Sequence, residues 1–151
     1  MKFFFLIFLN FSISFLSAYT PLENVRVIDG DTIRAETEGE EINIRMVEID
    51  APEMDQPFGV QSKNYLDKLL YGKDVTLISQ GKDRYGRTLG EIFVNGKSVN
   101  ILMIKSGFAW VYDRYAKNLS SYEYQNLAKA NNLGLWGTKD PIAPWVWRKQ
   151  K

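Results

Sequence analysis

Four short segments of this 151-residue chain gather the residue types that could do chemistry: IDGDT at 28–32, RMVEIDAPE at 45–53, DRYGR at 83–87 and GFAWVYDRY at 107–115. Each also has a purely structural reading. Asp29-Gly30 suits a hairpin turn. Asp50-Ala51-Pro52-Glu53 has the order of a helix start, with a capping carboxylate, a proline and a returning glutamate. Tyr85-Gly86 suits a turn between solvated charges, and Trp110, Tyr112 and Tyr115 suit a core as readily as a platform for a flat ligand.

Taken together the segments say more. Asp31, Asp50 and Glu53 carry three negative charges, and Arg45 with Arg87 carry two positive ones. Carboxylates brought this close repel any anionic substrate and drive one another toward protonation. A divalent cation between Asp31 and Asp50 removes that conflict. The chain has no histidine and no cysteine, which excludes Ser-His and Cys-His catalysis, histidine bases, and nearly every zinc or copper site. The remaining ligands are oxygens, which favour calcium or magnesium completed by carbonyl and water. Glu53, left off the metal, is free to take a proton from an attacking water. Arg45 and Arg87 suit bidentate bonds to phosphate oxygens, stronger as charge builds in the transition state.

Something must position these groups. LENVRVID, TIRAET and EINIRMVEID read as three strands between Leu22 and Asp50, and DVTLIS and TLGEIFV as two more. Tyr65, Leu66, Leu69 and Leu70 fall at helical spacing within 58–71, ended by Gly72. SVNILMIKSG reads as a short buried helix stopped by Gly107, and a last helix runs from Ser120, boxed with Glu123, to about Asn131. The expected class is α+β with a mainly β core: a five-stranded OB-fold barrel with about three helices packed outside. Within 42–50 the apolar phase switches from Ile42, Ile44, Met46 to Val47, Ile49, which a strict two-residue period cannot bury on one face. A β-bulge near Met46–Val47 would bring Arg45, Glu48 and Asp50 to a common face.

Residues 1–18 have the order of a secretory signal peptide: Lys2, an apolar stretch from Phe3 to Leu16, then Ser17 and Ala18. That stretch is shorter than the roughly 20 apolar residues of a spanning helix. The expectation is an exported protein, periplasmic or secreted, with a domain at 19–151, no stable membrane span after cleavage, and a monomeric state. The formal net charge is +1; without Lys2 the 18 acidic residues meet 18 basic ones. A nucleic-acid partner would therefore be held by a local patch.

All four segments, in order and in register, resemble the thermonuclease (staphylococcal nuclease-like) family from about Val25 to Trp136. The resemblance implies calcium-dependent hydrolysis of DNA and RNA, preferably single-stranded, to 3′-phosphate ends. Asp31 and Asp50 resemble its calcium carboxylates, and Ala51 stands where a backbone carbonyl reaches the metal. Glu53 resembles the general base, and Arg45 and Arg87 the phosphate-binding arginines. Tyr85, Tyr112 and Tyr115 resemble tyrosines lining the nucleotide pocket, and Arg84 keeps the charge of a common lysine. The connection from Met54 to Gly59 lacks the lysines of well-known members, which implies modest substrate affinity. Two rival readings stand beside the enzyme: a non-catalytic nucleic-acid-binding OB module, and a surface domain whose charges form only an ion-pair network.

Overall fold

The computed structural model describes residues 19–151; the expected signal peptide lies outside them. β1 (Thr20–Val27), β2 (Thr32–Thr37) and β3 (Glu40–Met46) form an antiparallel meander, and β5 (Val75–Lys82) and β6 (Thr88–Val94) a hairpin. β1 also pairs antiparallel with β5, and β3 pairs parallel with β6 through Arg45 and Leu89. Those two contacts close the sheet in the order β1-β2-β3-β6-β5. This is the five-stranded OB-fold barrel, in an α+β domain.

Closure requires strands to bend. The register of β1 slips between Glu23 and Arg26, and that of β5 between Ser79 and Lys82. Ile33, Ala35, Ile44, Met46, Val75, Leu77 and Ile92 fill the interior from alternate strand positions. Helix α1 (Gly59–Leu70) packs Leu66 and Leu70 onto that core, and α2 (Val99–Lys105) adds Val99, Met103 and Ile104. The Ser98 hydroxyl caps α2 by accepting from the Ile101 amide at 3.2 Å. A smaller cluster joins Ala128 of α3 (Ser120–Ala130) to Leu135 and Trp136 of a 3-10 turn. Two-residue strands β4 (Ile49–Asp50) and β8 (Trp110–Val111) pair with each other, β7 (Lys97–Ser98) extends β6, and α4 (Pro144–Trp147) ends the fold. Among the described residues no helix is long and apolar enough to cross a membrane.

The phase switch after Met46 is resolved differently from the expected bulge. β3 stops, Val47 and Glu48 turn, with Glu48 left-handed at φ 64°, and the chain restarts as β4 with a new partner. Buried Asn100 clamps the break: its amide donates to the Val47 carbonyl at 2.9 Å, and its oxygen accepts from the Ile92 amide at 3.1 Å. The turn sends Glu48 away from Arg45 and Asp50. Its carboxylate instead accepts from the Lys117 and Asn118 amides at 3.1 and 3.0 Å. The expected Ser120 box is also corrected. Ser120 lies inside α3, and the Asn118 side chain accepts from its amide at 3.1 Å.

Candidate functional site

The turn at 47–48 is what makes a site. Arg45 leaves β3 and folds back along the restarted chain, where its Nη1 donates to the Ile49 carbonyl at 3.0 Å. Its Nη2 then stands 3.1 Å from Asp31 Oδ2 and 3.3 Å from Asp50 Oδ1. One guanidinium nitrogen thus joins two carboxylates that are 19 residues apart in the chain.

Asp31 reaches this point from the β1–β2 connection. Residues 28–31 loop out instead of making a two-residue turn, with the Ile28 amide donating to the Thr32 carbonyl at 2.9 Å. Gly30 lets the loop lie against the 50s: a Cβ there would stand 2.6 Å from that of Ala51. The Ala51 amide donates to Asp31 Oδ2 at 2.7 Å, and the Thr32 hydroxyl to Asp31 Oδ1 at 3.2 Å. Residues 51–58 are not helical, so the helix-start reading of Asp50 to Glu53 does not hold. Helix α1 begins at Gly59, where a side chain would collide with the Glu53 carbonyl. Gln56 fixes the connection between them, accepting from the Glu53 amide at 3.1 Å and donating to the Ile142 carbonyl at 2.6 Å.

Burial dominates the electrostatics. It pushes the Asp31 carboxyl up to about 6; Arg45 opposes the shift and Asp29 adds to it. Asp50, 1 % exposed, is raised by the same desolvation and by Asp31, while bonds from Arg148 pull it back.

Arg148 is a member of this cluster that the local motifs did not reveal. Its Nη2 donates to Asp50 Oδ2 at 2.7 Å, and its Nη1 to Asp50 Oδ1 at 3.1 Å and Glu53 Oε1 at 2.7 Å. Nothing local in the sequence marks this contact, since Arg148 lies 98 residues from Asp50. The tail that carries it, Trp145 to Lys151, is aromatic and then basic, a pattern that names no partner.

The other candidates form two flanking groups. Arg87 donates through Nε to Asp83 Oδ2 at 2.8 Å, and despite the opposing desolvation those bonds hold the Asp83 carboxyl below its usual range. Tyr85 is 69 % exposed, hydrogen-bonded by Arg84 and faced by the Arg84 and Arg87 guanidiniums at 4.7 and 5.8 Å from its ring. Parallel pairing of β6 with β3 starts at Thr88 and Ile44, so this loop borders the strand that carries Arg45. On the other flank exposed Tyr115 meets Tyr112 edge-on at 5.1 Å, while Trp145 stacks on Tyr112 at 5.6 Å.

The donor set fits a hard divalent cation. Two buried carboxylates converge on one point, every candidate ligand is oxygen, and a 2+ charge would offset the desolvation that raises both acids. Among the described residues no three acidic side chains converge to hold a metal. A cation at Asp31 and Asp50 would therefore draw its other ligands from carbonyl, such as that of Ala51, and water, with Glu53 outside the shell.

Comparison with known proteins places this arrangement. Residues 43–138 match the family model described as staphylococcal nuclease homologue. A Haemophilus influenzae protein described as an uncharacterized endonuclease is 42 % identical over 128 residues, covering 84 % of this chain and 72 % of that one. A Shigella flexneri micrococcal nuclease is 36 % identical over 138 residues, covering 84 % and 79 %. The Arabidopsis thaliana staphylococcal-like nuclease CAN1 is 40 % identical over 108 residues, covering 72 % of this chain and 33 % of its own. With more than half its length in the family model and its barrel closed in the OB order, this chain belongs to the staphylococcal nuclease homologue family.

Proposed function

We propose that the protein is an exported, calcium-dependent nuclease that hydrolyses phosphodiester bonds of DNA and RNA, preferably single-stranded, to 3′-phosphate ends. The observation that carries the reading is the meeting of buried Asp31 and Asp50 at Arg45, with Glu53 linked to Asp50 through Arg148. Names of the relatives support the activity, and the oxygen-only donor set supports the cation.

The roles follow from position. Asp31 and Asp50, with the Ala51 carbonyl, hold the cation, which when bound supplies fixed positive charge beside the scissile phosphate. Glu53, half-buried at the edge of the cluster, takes the proton of the attacking water. Arg45 is held by the Met46 and Ile49 carbonyls, so its guanidinium is oriented before substrate arrives. Arg87 lies in the neighbouring loop, where its bond to Asp83 gives way to a phosphate oxygen. Arg84, Tyr85 and Tyr115 line the strand's path, and Tyr112 supports it from beneath. Residues 1–18 direct export, and the mature chain acts as a monomer.

Incubating the purified protein with single-stranded DNA, with calcium or with chelator, tests the proposal. Cutting that stops with chelator supports it. Binding without cutting would instead favour a non-catalytic OB module, and neither binding nor cutting would favour an ion-paired surface domain.

A further inference from the structure

The C-terminal segment is fastened at points that do not depend on Arg148. Trp145 of α4 stacks on Tyr112 and meets Trp110 edge-on at 5.7 Å. The Ile142 carbonyl accepts from Gln56, and Lys151 pairs with Asp55. Between these anchors Arg148 projects from the end of α4 and engages both oxygens of Asp50 and one of Glu53. Its side chain is 40 % exposed, against 1 % for that of Asp50. A guanidinium keeps its charge at any ordinary pH. A permanent positive charge is therefore seated on the carboxylate that the proposed function gives to the divalent cation.

We infer that Arg148 is a further residue of this site: a positioning residue that holds Asp50 against Glu53 and competes with the divalent cation for Asp50. The inference rests on the cation reading of Asp31 and Asp50. Each Asp50 oxygen already accepts from Arg148, and Oδ1 accepts from Arg45 as well. A cation bound there must take over or share those oxygens, with like charge a few ångströms away. Because the segment is anchored at Trp145, Ile142 and Lys151, the arginine can swing into solvent while the tail stays docked. Arg148 thus sets the calcium concentration at which the site fills.

Calcium chloride titrated calorimetrically into the purified protein, without nucleic acid, tests this on wild type, Arg148→Ala and Arg148→Lys, with a thermal melt of each. Removing the charge is expected to tighten calcium binding by at least about fivefold. Lysine keeps the charge but lacks the planar fork that spans Asp50 and Glu53 together, and is expected to tighten binding by about twofold or more. Should the alanine variant melt too early to titrate, the lysine variant decides. Calcium affinity that is unchanged or weaker in a folded variant overturns the competition while leaving the cation site standing. Absence of calcium binding in wild type and variants alike overturns both. Loss of a merely structural contact would weaken the site rather than tighten it.

Discussion

Arg45 and Asp50 are five residues apart in sequence, sit on two different strands, and meet at 3.3 Å because the chain turns at Val47–Glu48 between them. A continuous strand would place them on opposite faces. The site therefore depends on a backbone break that Asn100 holds open.

Asn100→Ala leaves the Val47 carbonyl and the Ile92 amide without their partner in a buried place. The expected cost is about 2–4 kcal/mol of stability, read as a lower urea midpoint. Activity should fall beyond what the unfolded fraction explains, because Arg45 loses its register with Asp50. Full activity per folded molecule would show that the clamp does not position the site.

Glu53→Gln and Arg45→Ala should each lower kcat by about two orders of magnitude or more, with melting temperatures that keep both variants folded during assay. Arg87→Ala should act similarly on rate. Its Asp83 partner is near the surface, so stability should change by less than about 1 kcal/mol. Near wild-type turnover in any of the three would refute the role given to that residue.

Stability should depend on pH through Asp31. Its folded pKa of about 6 lies above the ordinary 3.8, so the folded chain binds this proton more tightly than the unfolded one. The contribution is fully present below 3.8 and is lost as pH rises through about 6. In chelator, the unfolding free energy read from urea melts should therefore rise between pH 7 and pH 5 by about 1–1.5 kcal/mol, and Asp31→Asn should flatten that rise. Stabilisation by added calcium should run the other way and shrink below pH 6, because protons compete for the same carboxylate.

The two tyrosine groups should separate by readout. Tyr85 is exposed, with its ring faced by Arg84 and Arg87, so Tyr85→Ala should raise KM for single-stranded DNA by about tenfold with little change in melting. Tyr112 carries Trp145 on its face, so Tyr112→Ala should lower stability by about 1–3 kcal/mol. Equal melting curves for the two variants would contradict this division.

A single collision governs where Glu53 stands. Gly59→Ala puts a methyl into the Glu53 carbonyl, and the first turn of α1 or the 53–58 connection must shift. An expected loss of about 1–3 kcal/mol should come with a larger fall in kcat than in substrate binding, measured by kinetics on the folded fraction.

Much of this protein follows from sequence alone. Strand alternation at Ile33 and Ala35, the apolar spacing of Leu66 and Leu70, and the run around Met103 are local, so they disclosed the barrel and its helices. The missing histidines and cysteines confined the chemistry to carboxylates, arginines and a hard cation. The apolar phase switch announced an irregularity after Met46, but a period-two pattern records only that the faces change. Whether the chain bulges or stops is decided by partners, here Asn100 from α2 and β8 from beyond it. For the same reason Glu48 left the shared face: the free amides ahead of α3 offered its carboxylate a better place. Arg148 is the extreme case. Local periodicity carries no information about a contact made across 98 residues, and only the docking of the tail brought its charge onto Asp50.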